Sequence, residues 1–195
     1  MAVDFGRPRD PRIDDAVLRA TVELLAETGY PGLSVAAIAE RARTSKPAIY
    51  RRWPSKAHLV HEAVFPAGAA TELPDTGSLP HDLREMVLRS MTFLTAPAAR
   101  AALPGLVGEM AADPTLHSAL LERFAGVIGG GLTELLARAA DRGEIRPDVT
   151  ATELASPLVD AIAGITLMGL LTRVDELDDA WVDRTTELLL KGIGA

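Results

Sequence analysis

The chain has 195 residues, of which 48% are hydrophobic, 24% charged and 4% aromatic. That is enough for one globular domain or two small ones, each able to bury a core without staples. It contains no cysteine, which excludes disulfides, thiolate metal sites and cysteine nucleophiles.

In chain order, nearly every segment reads as helix. Ile13, Val17, Ala20, Thr21, Leu24 and Leu25 recur at helical spacing and form one face of an amphipathic first helix. Gly29 suits its C-terminal turn, with Pro31 just beyond. Ser34 caps a short second helix that turns Val35, Ile38, Ala39 and Ala42 inward. A polar break at residues 43–45 leads to a third helix that opens on Pro47 and stops near Trp53, before Pro54. Ser55 caps a fourth helix carrying Leu59, Val60, Ala63 and Val64. The Pro/Gly/Ser/Thr-rich stretch 66–80 marks a domain boundary. Five further helices are expected over about 81–96, 98–112, 114–142 (loosened at Gly129, Gly130 and Gly131), 151–172 and 178–191. Gly143 closes the third of these, and Asp148 or Thr150 caps the next.

The expected architecture is all-α, about nine helices in two domains. Residues 1–65 form a three-helix helix-turn-helix domain, and residues 66–195 a helical ligand-binding and dimerisation domain. Two short helices separated by three polar residues, after a longer amphipathic one, are the layout of a helix-turn-helix. Ile49 and Trp53, at i and i+4, would lodge the second helix of the pair. That leaves Thr44, Ser45, Lys46, Ala48, Tyr50, Arg51 and Arg52 outward. These side chains are small, hydroxylic, basic or amphipathic, the chemistry that meets phosphates and base edges in a major groove.

Charge agrees. Residues 1–60 hold ten Lys/Arg against seven Asp/Glu, residues 61–195 ten against twenty, and residues 41–56 six basic residues and no acid. A basic patch on an acidic body is a polyanion footprint, although a solvated helix face has the same composition.

From Ile13 to Val64 the chain resembles the DNA-binding domain of tetracycline-repressor-like (TetR) regulators. The segments ETGYPGLSVAAIAERA, TSKPAIYRRW and PSKAHLV carry the likeness. The resemblance implies that Ser34 and Lys56 hold phosphates from helix starts, and that Thr44, Lys46, Tyr50 and Arg51 face DNA. There are two departures. Arg43 stands where the family's turn carries glycine, so a non-glycine residue there would accept positive φ. Trp53 replaces the more usual phenylalanine. An N-terminal arm with Arg7, Pro8 and Arg9 could lie in a minor groove.

In the second domain, Leu158, Ile162, Ile165, Met168, Trp181 and Leu188 are read as a dimer interface, because an almost wholly apolar helix needs cover on every side. The resemblance agrees, implying dimerisation through the last two helices. Met86, Met91, Phe93, Leu94, Leu106, Met110, His117, Phe124 and Ile128 are candidate lining residues for a pocket taking an uncharged or amphiphilic effector.

No phosphate loop, dinucleotide fingerprint or nucleophile elbow is present. His58 and His61 lack further ligands, so no metal, cofactor or catalytic residue is assigned. The longest uncharged apolar run, 161–171, is shorter than a bilayer span. With a polar, basic start and no signal-peptide core, this reads as a cytoplasmic, nucleoid-associated protein with no membrane partner. The expected function is a homodimeric repressor released from a palindromic operator by a small molecule. A non-specific DNA-binding protein, or a small-molecule binder with a vestigial DNA-binding domain, are the alternatives.

Overall fold

The computed structural model describes residues 11–66 and 73–194, with side chains for 12–66, 73–118 and 131–194. The chain divides into two compact units. One takes the chain up to Phe65 together with Ala101–Leu116, and the other takes the remainder. Residues 101–116, expected in the second domain, join the first unit.

The first unit is built on α1 (Pro11–Gly32), α2 (Val35–Arg41), α3 (Lys46–Tyr50) and α4 (Lys56–Val64). Gly29, at φ 66° and ψ 174°, breaks α1. A side chain is strained in that backbone conformation, so the glycine ends the regular helix where the sequence placed its cap. Ser34, Ser45 and Ser55 each accept a hydrogen bond from the backbone N–H three residues on, at 3.1, 3.3 and 3.3 Å. These caps satisfy donors that the short helices cannot satisfy internally. Val17, Leu24 and Leu25 of α1, Ile38 of α2, Ile49 of α3 and Leu59 and Val60 of α4 are buried together as one core.

The last part of α6 (Pro97–Ala112) belongs to this unit. Gly105 lies against the Tyr30 ring: a Cβ there would stand 2.0 Å from Tyr30 Cδ1. One turn on, the Tyr30 hydroxyl donates to Glu109 Oε1 at 2.6 Å.

The second unit contains α5 (Leu79–Thr95), α7 (Pro114–Asp141) from His117 onward, α8 (Ala151–Thr172), a 3₁₀ turn (Val174–Glu176) and α9 (Asp179–Ile193). α5 packs on both α8 and α9. Its core joins Leu79, Leu83 and Val87 of α5, Leu132, Leu135 and Leu136 of α7, Leu158 and Ile162 of α8, and Trp181, Val182 and Leu189 of α9. A capping box of Thr150 and Glu153 opens α8, and Asp178 accepts from Trp181 N at 2.8 Å to open α9.

Two expectations change. α5 begins at Leu79 rather than 81, because Pro80 falls in the first turn, where its missing N–H has no intrahelical acceptor to lose. α7 runs through Gly129, Gly130 and Gly131 without a break. A Cβ at residue 131 would lie 3.0 Å from Leu73 Cδ1, so at least this glycine makes room for a packed neighbour.

α8 is also, by length and composition, apolar enough to cross a membrane, a property that the run 161–171 alone does not have. Its inward residues Ala155, Leu158, Ile162, Thr166 and Gly169 are buried in the second unit.

Candidate nucleic-acid interface

α2 ends in a backbone turn at Arg43 with φ 52°, the one non-glycine positive φ among the described residues. Thr44 N then donates to Ala39 O at 2.9 Å, and Ser45 caps α3. Arg43 therefore adopts the left-handed conformation anticipated for a position where glycine is usual.

α3 is only five residues long. One helical turn has no stability of its own, so its orientation is set by what holds it. Ile49 and Trp53 are 2% and 5% exposed and pin the inner side. Tyr50 is 49% exposed, and Lys46 and Arg51 are exposed beside it. Thr44 and Ala48 are half-buried at the same edge. Neither Lys46 nor Arg51 has an ion-pair partner among the described residues. The outward side thus offers two cations, a phenol and small groups, held on a buried apolar foot.

The six basic residues of 41–56 do not act alike. Arg41 makes a two-pronged contact with Glu27 at 2.8 and 2.9 Å and lies 3.6 Å from Glu23. That guanidinium holds the Glu27 carboxyl below its ordinary range. Arg52, expected to face DNA, instead forms an ion pair with Asp14 of α1, its side chain 14% exposed. Lys56, expected to hold phosphate, directs its ammonium inward: Nζ donates to Tyr30 O at 3.2 Å and sits 4.0 Å from the Tyr30 ring centroid. The ammonium is thus held by a carbonyl and a cation–π contact. Arg43, Lys46 and Arg51 remain as exposed cations without an ion-pair partner among the described residues. Ser34 and Ser45 are exposed with their oxygens committed to caps, which leaves each hydroxyl hydrogen able to meet an acceptor.

Comparison with known proteins settles the family. Residues 17–63 match the family model described as bacterial regulatory proteins, tetR family, and residues 73–189 match the tetracyclin repressor-like C-terminal domain. The chain belongs to the TetR family. It is similar to the HTH-type transcriptional regulator YdeS of Bacillus subtilis, with 32% identity covering 97% of this chain and 94% of that one. It is 33% identical to a DNA-binding transcriptional repressor, TetR, of Mycobacteroides abscessus, over 90% of each chain. Among solved structures, the TetR family transcription regulator SCO0332 matches at a TM-score of 0.71 and 30% identity, over 93% of this chain and 98% of that one. This TetR-family chain is accordingly a DNA-binding transcriptional regulator of the helix-turn-helix type.

The other expected sites are dispersed. Leu158, Ile162 and Trp181 are 4%, 5% and 7% exposed, part of the second unit's own core. They are therefore closed to a partner, because an almost wholly apolar helix can also be covered by its own chain. Ile165 is half-buried, while Met168, Leu171 and Leu188 lie open. Of the candidate pocket residues, Leu106 and Met110 belong with the first unit, and Leu106 is buried there. Met86, Met91, Phe93 and Leu94 are half-buried in the second unit, and His117 is exposed. The side chains of Phe124 and Ile128, and the arm with Arg7, Pro8 and Arg9, lie outside the described residues.

The pairings around α3 escaped the sequence reading because they join residues far apart in the chain. Only the absence of acid between residues 41 and 56 hinted that any fixing carboxylates would have to come from elsewhere.

Proposed function

We propose that this TetR-family regulator is a homodimeric repressor that places α3 of each subunit in the major groove of a palindromic operator. The observation that carries this is the split character of α3: Ile49 and Trp53 are buried, and Tyr50, Lys46 and Arg51 point outward. Lys46 and Arg51 fit phosphate oxygens or guanine edges, Tyr50 a phosphate or a base face, and Ala48 a thymine methyl. One such helix grips DNA weakly, and pairing supplies the second. Pairing is supported by the open apolar groups Met168 and Leu171 of α8 and Leu188 of α9, exposed by 58%, 63% and 63%. A repressing role follows the name of the Mycobacteroides abscessus relative.

A small apolar or amphiphilic effector among the helices of the second unit releases the operator to the extent that it prefers the conformer with mismatched reading heads. The test is selection of bound duplex from a random pool. The reading expects an inverted repeat with half-sites about 10–10.5 base pairs, or a multiple of that, centre to centre. Uniform recovery of all sequences points to a non-specific DNA-binding protein, and no recovery to a small-molecule binder.

A further inference from the structure

Two apolar anchors one turn apart fix the depth of α3 but not its roll about the line joining them. Roll decides which side chains face a groove, so something else must set it. Two polar contacts that close the end of α3 onto its neighbours use carboxylates. Arg52, two residues past the helix, pairs with Asp14 of α1 through Nε and Oδ1. Trp53 Nε1 donates to Glu62 Oε2 of α4 at 3.1 Å. The contacting atoms of Asp14 and Arg52 are shut off from solvent, so water screens this pair little.

We propose that Asp14 is a positioning residue for DNA recognition: through Arg52 it sets the roll of α3, and it touches no DNA itself. This rests on the reading of α3 as the DNA-contacting helix. Asp14 lies beside a surface built for polyanions, where a carboxylate repels phosphate. Its removal, judged by charge alone, would tighten binding to every duplex and would free the Arg52 cation to help. The positioning role has the opposite sign on a specific site. A rolled α3 mismatches base edges, while contact with random duplex, which depends on charge, persists.

The experiment is a titration of full-length wild type, Asp14→Ala, Asp14→Glu and Arg52→Ala against a pool-selected duplex and a random duplex, over a range of salt. Asp14→Ala is expected to lose about tenfold on the selected duplex, the cost of a partly mismatched contact, and to bind random duplex at least as well as wild type. Asp14→Glu restores most of the preference. Arg52→Ala loses preference with an unchanged slope of log K against log salt. Asp14 also lies in the first turn of α1, where its charge favours the helix, so the selected-to-random ratio is the readout that a purely structural loss does not move. An equal loss on both duplexes, an undiminished ratio in Asp14→Ala, or a slope lowered by about 0.9 in Arg52→Ala each overturns the positioning role. Wild type with no preference for any selected duplex overturns the functional reading as well, which separates the two failures.

Discussion

Arg43 shows how a single backbone angle links sequence to reading surface. An L-residue held at φ 52° carries a cost of about 1–2 kcal/mol relative to its preferred regions, and glycine would relieve it at an entropic cost of about 0.5–1 kcal/mol. Arg43→Gly is therefore expected to stabilise the first unit by up to about 1 kcal/mol in urea unfolding, at the expense of one exposed cation. Unchanged or lowered stability contradicts the strain. This angle was legible in advance, because a family pattern with glycine at the turn stands beside an arginine here. The fates of Arg52 and Lys56 were not. Both are basic residues in a basic run, and only the fold reveals that Asp14 and Tyr30 claim them.

At the level of elements, the amphipathic periods of α1, α2, α4 and α9 and the serine caps could be read directly, since local propensity and tertiary packing agree there. The attachment of Ala101–Leu116 to the first unit could not, because its contacts, such as Gly105 under the Tyr30 ring and Glu109 on the Tyr30 hydroxyl, join residues far apart in the chain. Gly105→Ala places a methyl 2.0 Å from Tyr30 Cδ1. Overpacking of this kind costs about 1–3 kcal/mol, and in a Tyr30→Ala background the cost should vanish. Additive losses in a double-mutant cycle contradict the contact. The same tyrosine predicts an alkaline signature. Burial first, then the hydrogen bond to Glu109 and its negative charge, raise the Tyr30 phenol above its ordinary value of 10.0. The folded chain therefore keeps this proton after the unfolded chain has lost it. The stabilisation is complete below about pH 10 and falls as pH rises beyond it. Tyr30→Phe should flatten that alkaline decline in stability-versus-pH curves, while an identical decline in both proteins removes Tyr30 as its source.

For the molecule as a whole, the uneven charge matters more than its total of −7. The acidic residues concentrate after residue 60, which leaves the short basic stretch as the part suited to DNA. The all-α class and the helix order were legible because hydrophobic periodicity reports them. The proposed pairing surface was legible only as far as α8 and α9, because a helix apolar on all sides gives no indication of which side its own chain covers. Leu158, Ile162 and Trp181 lie inside, and Met168 and Leu188 outside. Leu188→Asp should leave the single chain folded, since the side chain is 63% exposed there, and should shift sedimentation toward monomer. A mass that stays dimeric contradicts pairing through this face.

The most direct test of the account is the affinity of Tyr50→Ala for a selected operator, measured by gel-shift titration beside wild type with circular dichroism as the control for folding. Because Tyr50 is half exposed and outside the core, the variant should melt like wild type and bind operator about tenfold or more weakly, as for the loss of a good base or phosphate contact. Equal affinity in a well-folded Tyr50→Ala would contradict the claim that the outward side of α3 reads DNA.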